Sequence, residues 1–202
     1  MELGRYDMDL LSDRITISTT FLKRRFDEAR DTLYAIKITN LIYEQTGISE
    51  IIPLSIKTFG DSSLTQMVIS ICSFFEGVNH RRMNNSIRTF IEYLDRNIQE
   101  VKKEYKITFN LKNTLNEHRE IISEHKEIID RFYTYRNKMS GHTDLKYLTD
   151  FNKIKDDIEF VFAHINELVD VMETLISFYV ELFLNQKFDV SPLKKELMSL
   201  FE

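Results

Sequence analysis

The sequence predicts an all-α protein, built as an up-and-down helical bundle with long antiparallel helices. Only two prolines and five glycines interrupt its 202 residues, and so few chain breakers are typical of long helices joined by few turns. Apolar residues also recur at helical spacing over most of the chain. The β-branched run from Ile15 to Thr20 alternates as a strand would, but we find no second strand to pair with it and assign it to a helix.

Apolar stripes and capping residues divide the N-terminal part of the chain. Residues 7–45 form one or two helices, followed by a connection at 48–61 with room for one short turn of helix. Residues 61–63 are an aspartate and two serines, which can cap the next helix. Gly77 is expected to end that helix.

A basic, amide-rich connection at 78–85 separates this part from the next amphipathic helix, which extends to Val101. Side chains that accept a hydrogen bond from a helix N-terminus are favoured just before the first apolar residue. The candidates for this N-cap are Asn84, Asn85 and Ser86.

Two longer helices complete the bundle. The first follows a short connection at 106–113 and runs to Met139. The second begins after Asp150 and turns an apolar stripe inward from Phe151 to Tyr179, with Phe162 among the inward residues. This last helix has an apolar surface broad enough to contact more than one neighbour.

Composition indicates one globular unit. With 43% hydrophobic and 29% charged residues, the chain has the composition of a soluble protein and the length for one substantial core. We therefore expect a single domain over 1–202. It comprises N-terminal helices and a connection at 1–59, a core bundle at 60–184 and a C-terminal tail helix at 185–202.

Several classes of protein are disfavoured. The net charge of −5 argues against a protein that coats nucleic acid over its whole surface, but leaves room for a local basic patch. The lone cysteine, Cys72, supports neither a disulfide framework nor a thiolate metal site. A signal peptide and an uncharged membrane span are both absent, so we expect a cytoplasmic protein without membrane contact. Motifs for zinc or a phosphate loop are also absent, and we expect no metal and no cofactor.

A charged, polar stretch ends the helical pattern near residue 140. Its members are Arg136, Asn137, Lys138, Ser140, Gly141, His142 and Asp144. Ser140-Gly141 is a poor place to continue a helix and a good place to end one, so the backbone can turn His142 back toward Arg136. A guanidinium beside an imidazole suits phosphate binding next to proton transfer.

Spacing alone does not make such a site, because Arg119 and His125 are separated by the same distance along the chain. Six residues along an uninterrupted helix turn it by about 600°, which leaves the two side chains roughly 120° apart around the axis. Arg119 and His125 are expected to lie within such a helix. We therefore predict that these two side chains do not converge.

Arg136 also lies on the inward face of its helix. The residues that precede it by alternating steps of four and three share its helix face and form a mostly apolar seam. They are Phe132, Ile129, His125, Ile122, His118, Leu115 and Leu111. A guanidinium there needs an anion or a water-filled crevice, because an unpaired buried charge is costly. Two interpretations stay open: a phosphate site shared with His142, or a structural ion pair to a neighbouring helix with His142 as a helix-end cap.

The stretch from Arg136 to Asp144 resembles the Arg-polar-x(n)-His motif of the HEPN superfamily of helical nucleases. Its Arg-Asn-Lys and Gly-His-x-Asp residue patterns are most similar to those of the abortive-infection U-type, or AbiU-like, branch. An apolar helix that ends in Glu76, followed by a polar connection and a helix opening at Ser86-Ile87, resembles the same branch. The likeness covers roughly residues 60–180.

This resemblance implies a metal-independent endoribonuclease of the toxin or antiphage-defence type. HEPN nucleases are helical bundles that dimerise and place two Arg/His stretches across a shared cleft, so it also implies a homodimer with a composite site. An antitoxin protein is a further candidate partner. Many HEPN toxins carry a Tyr two residues after the His, where a nucleotidyltransferase antitoxin modifies it. Here Asp144 stands at that position, which puts this form of control in doubt.

The residue types fit RNA cleavage without a metal. His142 can act as base or acid because imidazole titrates near neutral pH. Arg136 can hold the non-bridging oxygens as negative charge builds in the transition state, and Asn137 can orient the phosphate or the imidazole. Asp144 can set the tautomer of His142. Glu76 can orient Arg136 or His142, or can equally be an exposed residue at a helix end.

The basic connection before the third helical region, together with the first turn of that helix, provides the best candidates for RNA contact. The cations there are His80, Arg81, Arg82 and Arg88. Cations beside amide side chains can reach phosphates without disturbing the core. Ordinary surface charge is the competing interpretation. Lys138 is assigned no chemical role, because we expect it to face solvent.

The alternative function is a non-catalytic helical protein-interaction module. In that case Arg136 and His142 form a structural pair, and the broad apolar face of the last helix docks a partner protein. The two hypotheses differ in the expected effect of removing Arg136: loss of RNA cleavage with unchanged stability in the first, and a sharp fall in stability in the second.

Overall fold

A computed structural model of the chain describes residues 3–46, 54–77, 86–140 and 151–188. Most of these residues are helical, and within these four segments there is no strand. The described segments contain seven helices: α1 (Leu3–Thr46), α2 (Leu54–Phe75), α3 (Ile87–Arg96), α4 (Ile98–Glu104), α5 (Leu111–Glu124), α6 (Lys126–Ser140) and α7 (Phe151–Leu184). The prediction of an all-α fold is confirmed, and the run from Ile15 to Thr20 is helical.

Two long helices and α2 form the frame of the bundle. The 44-residue α1 packs along both α2 and the 34-residue α7. Its buried apolar positions advance in steps of three or four, with one step of seven that spans the buried Ser18 and Thr19. They are Leu11, Ile15, Leu22, Phe26, Ala29, Leu33 and Ile36. The shorter helices α3 to α6 lie against this frame and carry the polar residues of interest. In the part of the chain that the structure describes, no helix is long and apolar enough to cross a bilayer.

The helix α2 begins earlier than the sequence indicated. It starts at Leu54, so residues 61–63, which we expected to cap it, lie inside it. Residues 54–61, which we expected to belong to a connection, are helical as well. We assigned Gly60 to a connection because glycine is typical of turns, but it lies within the helix. A glycine in a helix interior costs only about 1 kcal/mol relative to alanine, which packing of the apolar residues that follow can offset.

Ser86 is the N-cap of α3, which selects one of the three predicted candidates. Its hydroxyl accepts a hydrogen bond from the backbone N–H of Thr89 at 3.3 Å. The helical region is interrupted at Asn97, so α3 and α4 are separate helices. Their apolar stripe nevertheless faces the core as predicted.

The seam helix is interrupted at His125, and the expectation of one uninterrupted helix was wrong. The break lies at a residue that is neither glycine nor proline, so the sequence holds no signal for it. The predicted inward face is confirmed, since Leu111, Leu115, His118, Ile122, Ile129 and Phe132 are buried. His125 and Arg136, the polar members of the seam near α6, are partly buried.

Two side-chain placements differ from those expected. Lys138 does not face solvent: its Nζ lies 2.9 Å from the carboxylate of Asp157, and 22% of its side chain is exposed. The pair connects α6 to α7. Phe162, expected to point inward, is 43% exposed, because the neighbouring Val161 takes the buried position and adjacent helix residues point about 100° apart.

Candidate active site

Arg136 lies in the last turns of α6, where contacts within the helix hold its guanidinium. The Cζ atom lies 5.1 Å from the centroid of the Tyr133 ring, one helical turn earlier. The Nε and Nη2 groups of Arg136 donate to the side-chain oxygen of Asn137 at 3.3 and 3.2 Å. Arg136 is therefore supported by an aromatic face on one side and by an amide on another.

Tyr133 fixes this end of α6 to α2. Its hydroxyl donates a hydrogen bond to the backbone carbonyl of Cys72 at 3.0 Å. Burial is the main reason that the pKa of Tyr133 is raised, and the neighbouring Cys72 and Glu76 raise it further. The phenol thus keeps its proton at neutral pH and remains a hydrogen-bond donor.

Charged side chains of both signs gather around Tyr133. The charges of Arg88 and Arg136 oppose the increase in its pKa, and Glu76 reinforces it. At Cys72, burial raises the pKa of the thiol to about 12, against the influence of Arg136 and in line with that of Glu76. Glu76 follows the end of α2 and Arg88 lies in the first turn of α3, so three elements contribute charges to one place.

We call this group the Arg136 cluster, and its members are Glu76, Arg88, Tyr133, Arg136 and Asn137. Of the residues predicted to be catalytic or supporting, the structure brings Arg136, Asn137 and Glu76 together here. The predicted RNA contact Arg88 lies with them. The remaining predicted site residues lie outside the described residues: His142, Asp144, His80, Arg81 and Arg82.

The second Arg/His pair does not converge, as predicted. The Arg119 guanidinium lies 2.6 Å from the carboxylate of Asp95 on α3, whereas the His125 ring lies 3.4 Å from Glu167 on α7. The two side chains therefore contact different helices. The two side chains diverge although the helix is interrupted at His125, because Ile122 and Ile129 on either side of the break keep the same buried phase.

A cleft adjoins the Arg136 cluster and includes side chains for which the sequence suggested no role. It has a volume of about 270 Å³ and is lined by Gly77, Arg88, Ile91, Glu92, Arg119, Ile122, Ser123 and Lys126. Tyr133 was also missed as a positioning residue. Its spacing of three from Arg136 places the two side chains as neighbours on a helix, and this signal was present in the sequence. Among the described residues, no cluster of three metal-ligating side chains occurs.

The fold and this cluster define a class: an all-α bundle in which the end of one helix presents an arginine bonded to an amide side chain. Residues 21–198, most of the chain, match the AbiU2 family of HEPN domains. The chain belongs to this family, which confirms the resemblance carried by the Arg136 to Asp144 stretch. Neither a curated protein nor a solved structure matches it.

Proposed function

We propose that this protein is a metal-independent endoribonuclease of the toxin or antiphage-defence type. In this proposal Arg136 and His142 are the catalytic residues of a composite site at the cleft of a homodimer. The observation that supports it most is the support given to Arg136 by Tyr133 and Asn137 in a chain of the AbiU2 family. A cation held in this way suits an anionic substrate, because less side-chain freedom is lost on binding.

The reaction is an internal transfer that needs no metal and no co-reactant. A base removes the proton of a ribose 2′-hydroxyl, and this oxygen attacks the adjacent phosphorus. The bond from phosphorus to the 5′-oxygen breaks, and an acid protonates that oxygen. The products are a 2′,3′-cyclic phosphate and a 5′-hydroxyl. One imidazole does not readily serve as base and acid in the same step, so His142 from each of two copies supplies the two roles.

Arg136 and Asn137 stabilise the transition state in this scheme. The guanidinium holds two non-bridging oxygens as charge develops on them. The side-chain oxygen of Asn137 accepts from Arg136, which leaves its amide nitrogen as the donor toward a phosphate oxygen. Glu76 offsets part of the charge of the two arginines in the cluster, and one positive charge remains for the phosphate.

The test is incubation of the purified protein with mixed cellular RNA in EDTA, using wild type, Arg136→Ala, His142→Ala and Arg131→Ala. Arg131 is a matched control, since it lies on the same helix and stacks over the Phe160 ring at 3.7 Å, away from the cluster. We expect wild type and Arg131→Ala to cleave. Rates for the other two should fall by on the order of a hundredfold or more.

The interaction-module alternative is tested on the same variants by adding a measurement of the free energy of unfolding. Intact RNA with the wild-type protein, together with a free energy of unfolding lowered by more than about 2 kcal/mol in Arg136→Ala, would assign Arg136 a structural role. Cleavage that survives in His142→Ala would also reject the proposed site.

A further inference from the structure

The cleft beside the Arg136 cluster concentrates positive charge in a protein whose net charge is −5. Three cations, Arg88, Arg119 and Lys126, line it, against a single carboxylate, Glu92. That carboxylate is itself paired, because Arg96 lies 3.1 Å from it. The cleft therefore has a local charge opposite in sign to that of the whole chain.

One of these cations, Arg88, is partly buried in the wall of the cleft. The Nε of Arg88 is enclosed, and among the described residues it finds no hydrogen-bond partner. Buried donors of a charged group are normally satisfied. Arg88 also belongs to the Arg136 cluster through its influence on Tyr133, so it connects the cleft to the candidate active site.

The other two cations are held by ion pairs that an incoming anion can replace. Arg119 shares the Asp95 carboxylate with Lys112, at 2.6 and 2.5 Å respectively. Lys126 pairs with Asp130 one turn further on, and both side chains are more than half exposed. The exposed Lys126–Asp130 pair contributes little to stability. Asp95 is only 19% exposed, but it keeps Lys112 as a partner when Arg119 turns toward a phosphate.

We propose that this cleft is a phosphate-binding subsite for an RNA strand, in which Arg88, Arg119 and Lys126 hold backbone phosphates that flank the scissile one. This inference rests on the proposed function. It extends the predicted RNA contacts to two cations, on α5 and α6, for which the sequence analysis suggested no contact with RNA. The apolar floor of the cleft, Ile91 and Ile122, gives room for a base or ribose beside the phosphates.

The position of the cleft along α6 sets its distance from the chemistry. Lys126 is the first residue of α6 and Arg136 lies ten residues later, which corresponds to about 15 Å along the helix axis at 1.5 Å per residue. A strand that contacts both must extend over more than one nucleotide. Arg88 contributes to both the cleft and the cluster and lies on the route between them.

The test measures RNA binding by the full chain carrying His142→Ala, so that the probe is not degraded. The probe is a fluorescein-labelled single-stranded oligoribonucleotide, followed by anisotropy over a range of salt concentrations. In this background, Arg119→Ala plus Lys126→Ala removes the cleft cations. The matched control is Lys103→Ala plus Lys155→Ala: both side chains are exposed, and neither lines the cleft.

We expect the cleft variant to bind on the order of tenfold more weakly, and the slope of log K against log salt to become shallower by roughly 1.4, about 0.7 for each lost phosphate contact. The control should bind as the parent does. Equal weakening in both variants would overturn the subsite in favour of general surface charge.

Failure of the subsite and failure of the proposed function give different results. If the wild-type protein cleaves RNA and the cleft variant binds as tightly as the parent, the subsite is rejected while the nuclease remains. If the wild-type protein does not cleave RNA and the His142→Ala parent does not bind it, both the subsite and the nuclease function are rejected.

Discussion

Arg136 is positioned by residues close to it in sequence. Tyr133 supplies the ring beneath its guanidinium, and Asn137 accepts its hydrogen bonds. Tyr133 in turn is held by the carbonyl of Cys72. A planar guanidinium can lie on an aromatic ring and still present paired donors, which an ammonium group cannot do.

At the scale of this residue we predict that Arg136→Lys retains the fold but not the activity. Lysine keeps the charge and loses both the stacking and the bidentate geometry, so RNA cleavage in EDTA should fall by about tenfold or more. The free energy of unfolding, from urea titration, should change by less than about 1 kcal/mol. Arg131→Lys is the control on the same helix, and an equal loss of activity in both variants would show that Arg136 has no special role.

Among the elements, the contact between α5 and α7 contains a buried polar pair. The Nδ1 of His118 lies 2.7 Å from the hydroxyl of Tyr179, and both residues are buried. Burial lowers the pKa of His118 to about 4. It also raises the pKa of Tyr179, so both side chains are neutral at pH 7 and the hydrogen bond carries no net charge.

This pair predicts a loss of stability in mild acid. His118 stays unprotonated in the folded protein down to about pH 4 but takes a proton near pH 6.5 when unfolded. The unfolded state therefore binds more protons in this window, and stability that is fully present above pH 6.5 is lost as the pH falls toward 4. Between about pH 7.5 and pH 5 we expect the free energy of unfolding to fall by roughly 2 kcal/mol through this group.

The measurement is urea unfolding at several pH values for wild type and His118→Gln. The variant is expected to be less stable at pH 7.5, but its stability should depend less steeply on pH, since no buried imidazole is left to protonate. The same pH dependence in both proteins would mean that His118 does not titrate as its burial requires.

For the whole molecule, the proposed chemistry requires two copies. Base and acid are needed in the same step, and His142 is the single imidazole of the Arg/His stretch, so the composite site implies a homodimer. Gel filtration with light scattering at micromolar concentration should give twice the chain mass of 24.1 kDa. A monomer that still cleaves RNA would contradict the composite site without removing the nuclease.

Much of the architecture follows from local periodicity. The apolar stripes placed the inward faces of the α5–α6 seam and of most of α7 correctly, because helical phase depends only on residues a few positions apart. Ser86 was among the predicted N-caps for the same reason. Lys138 was placed wrongly because its partner Asp157 lies on α7, and Phe162 because the neighbouring Val161 takes the buried position.

The candidate site divides in the same way. By itself the sequence determined the helical fold class, the apolar inward face of the α5–α6 seam and the motif by which the family is recognised, all of which depend on neighbours along the chain. At the end of α6 the buried position is taken by Tyr135, and Arg136 is partly buried. Only the tertiary structure decided that Glu76, Arg88 and Arg136 meet around Tyr133, and that Arg119 and Lys126 share a cleft with Arg88. These groups lie on different helices or far apart in the chain, and the packing of α2, α3, α5 and α6 sets the distances between them.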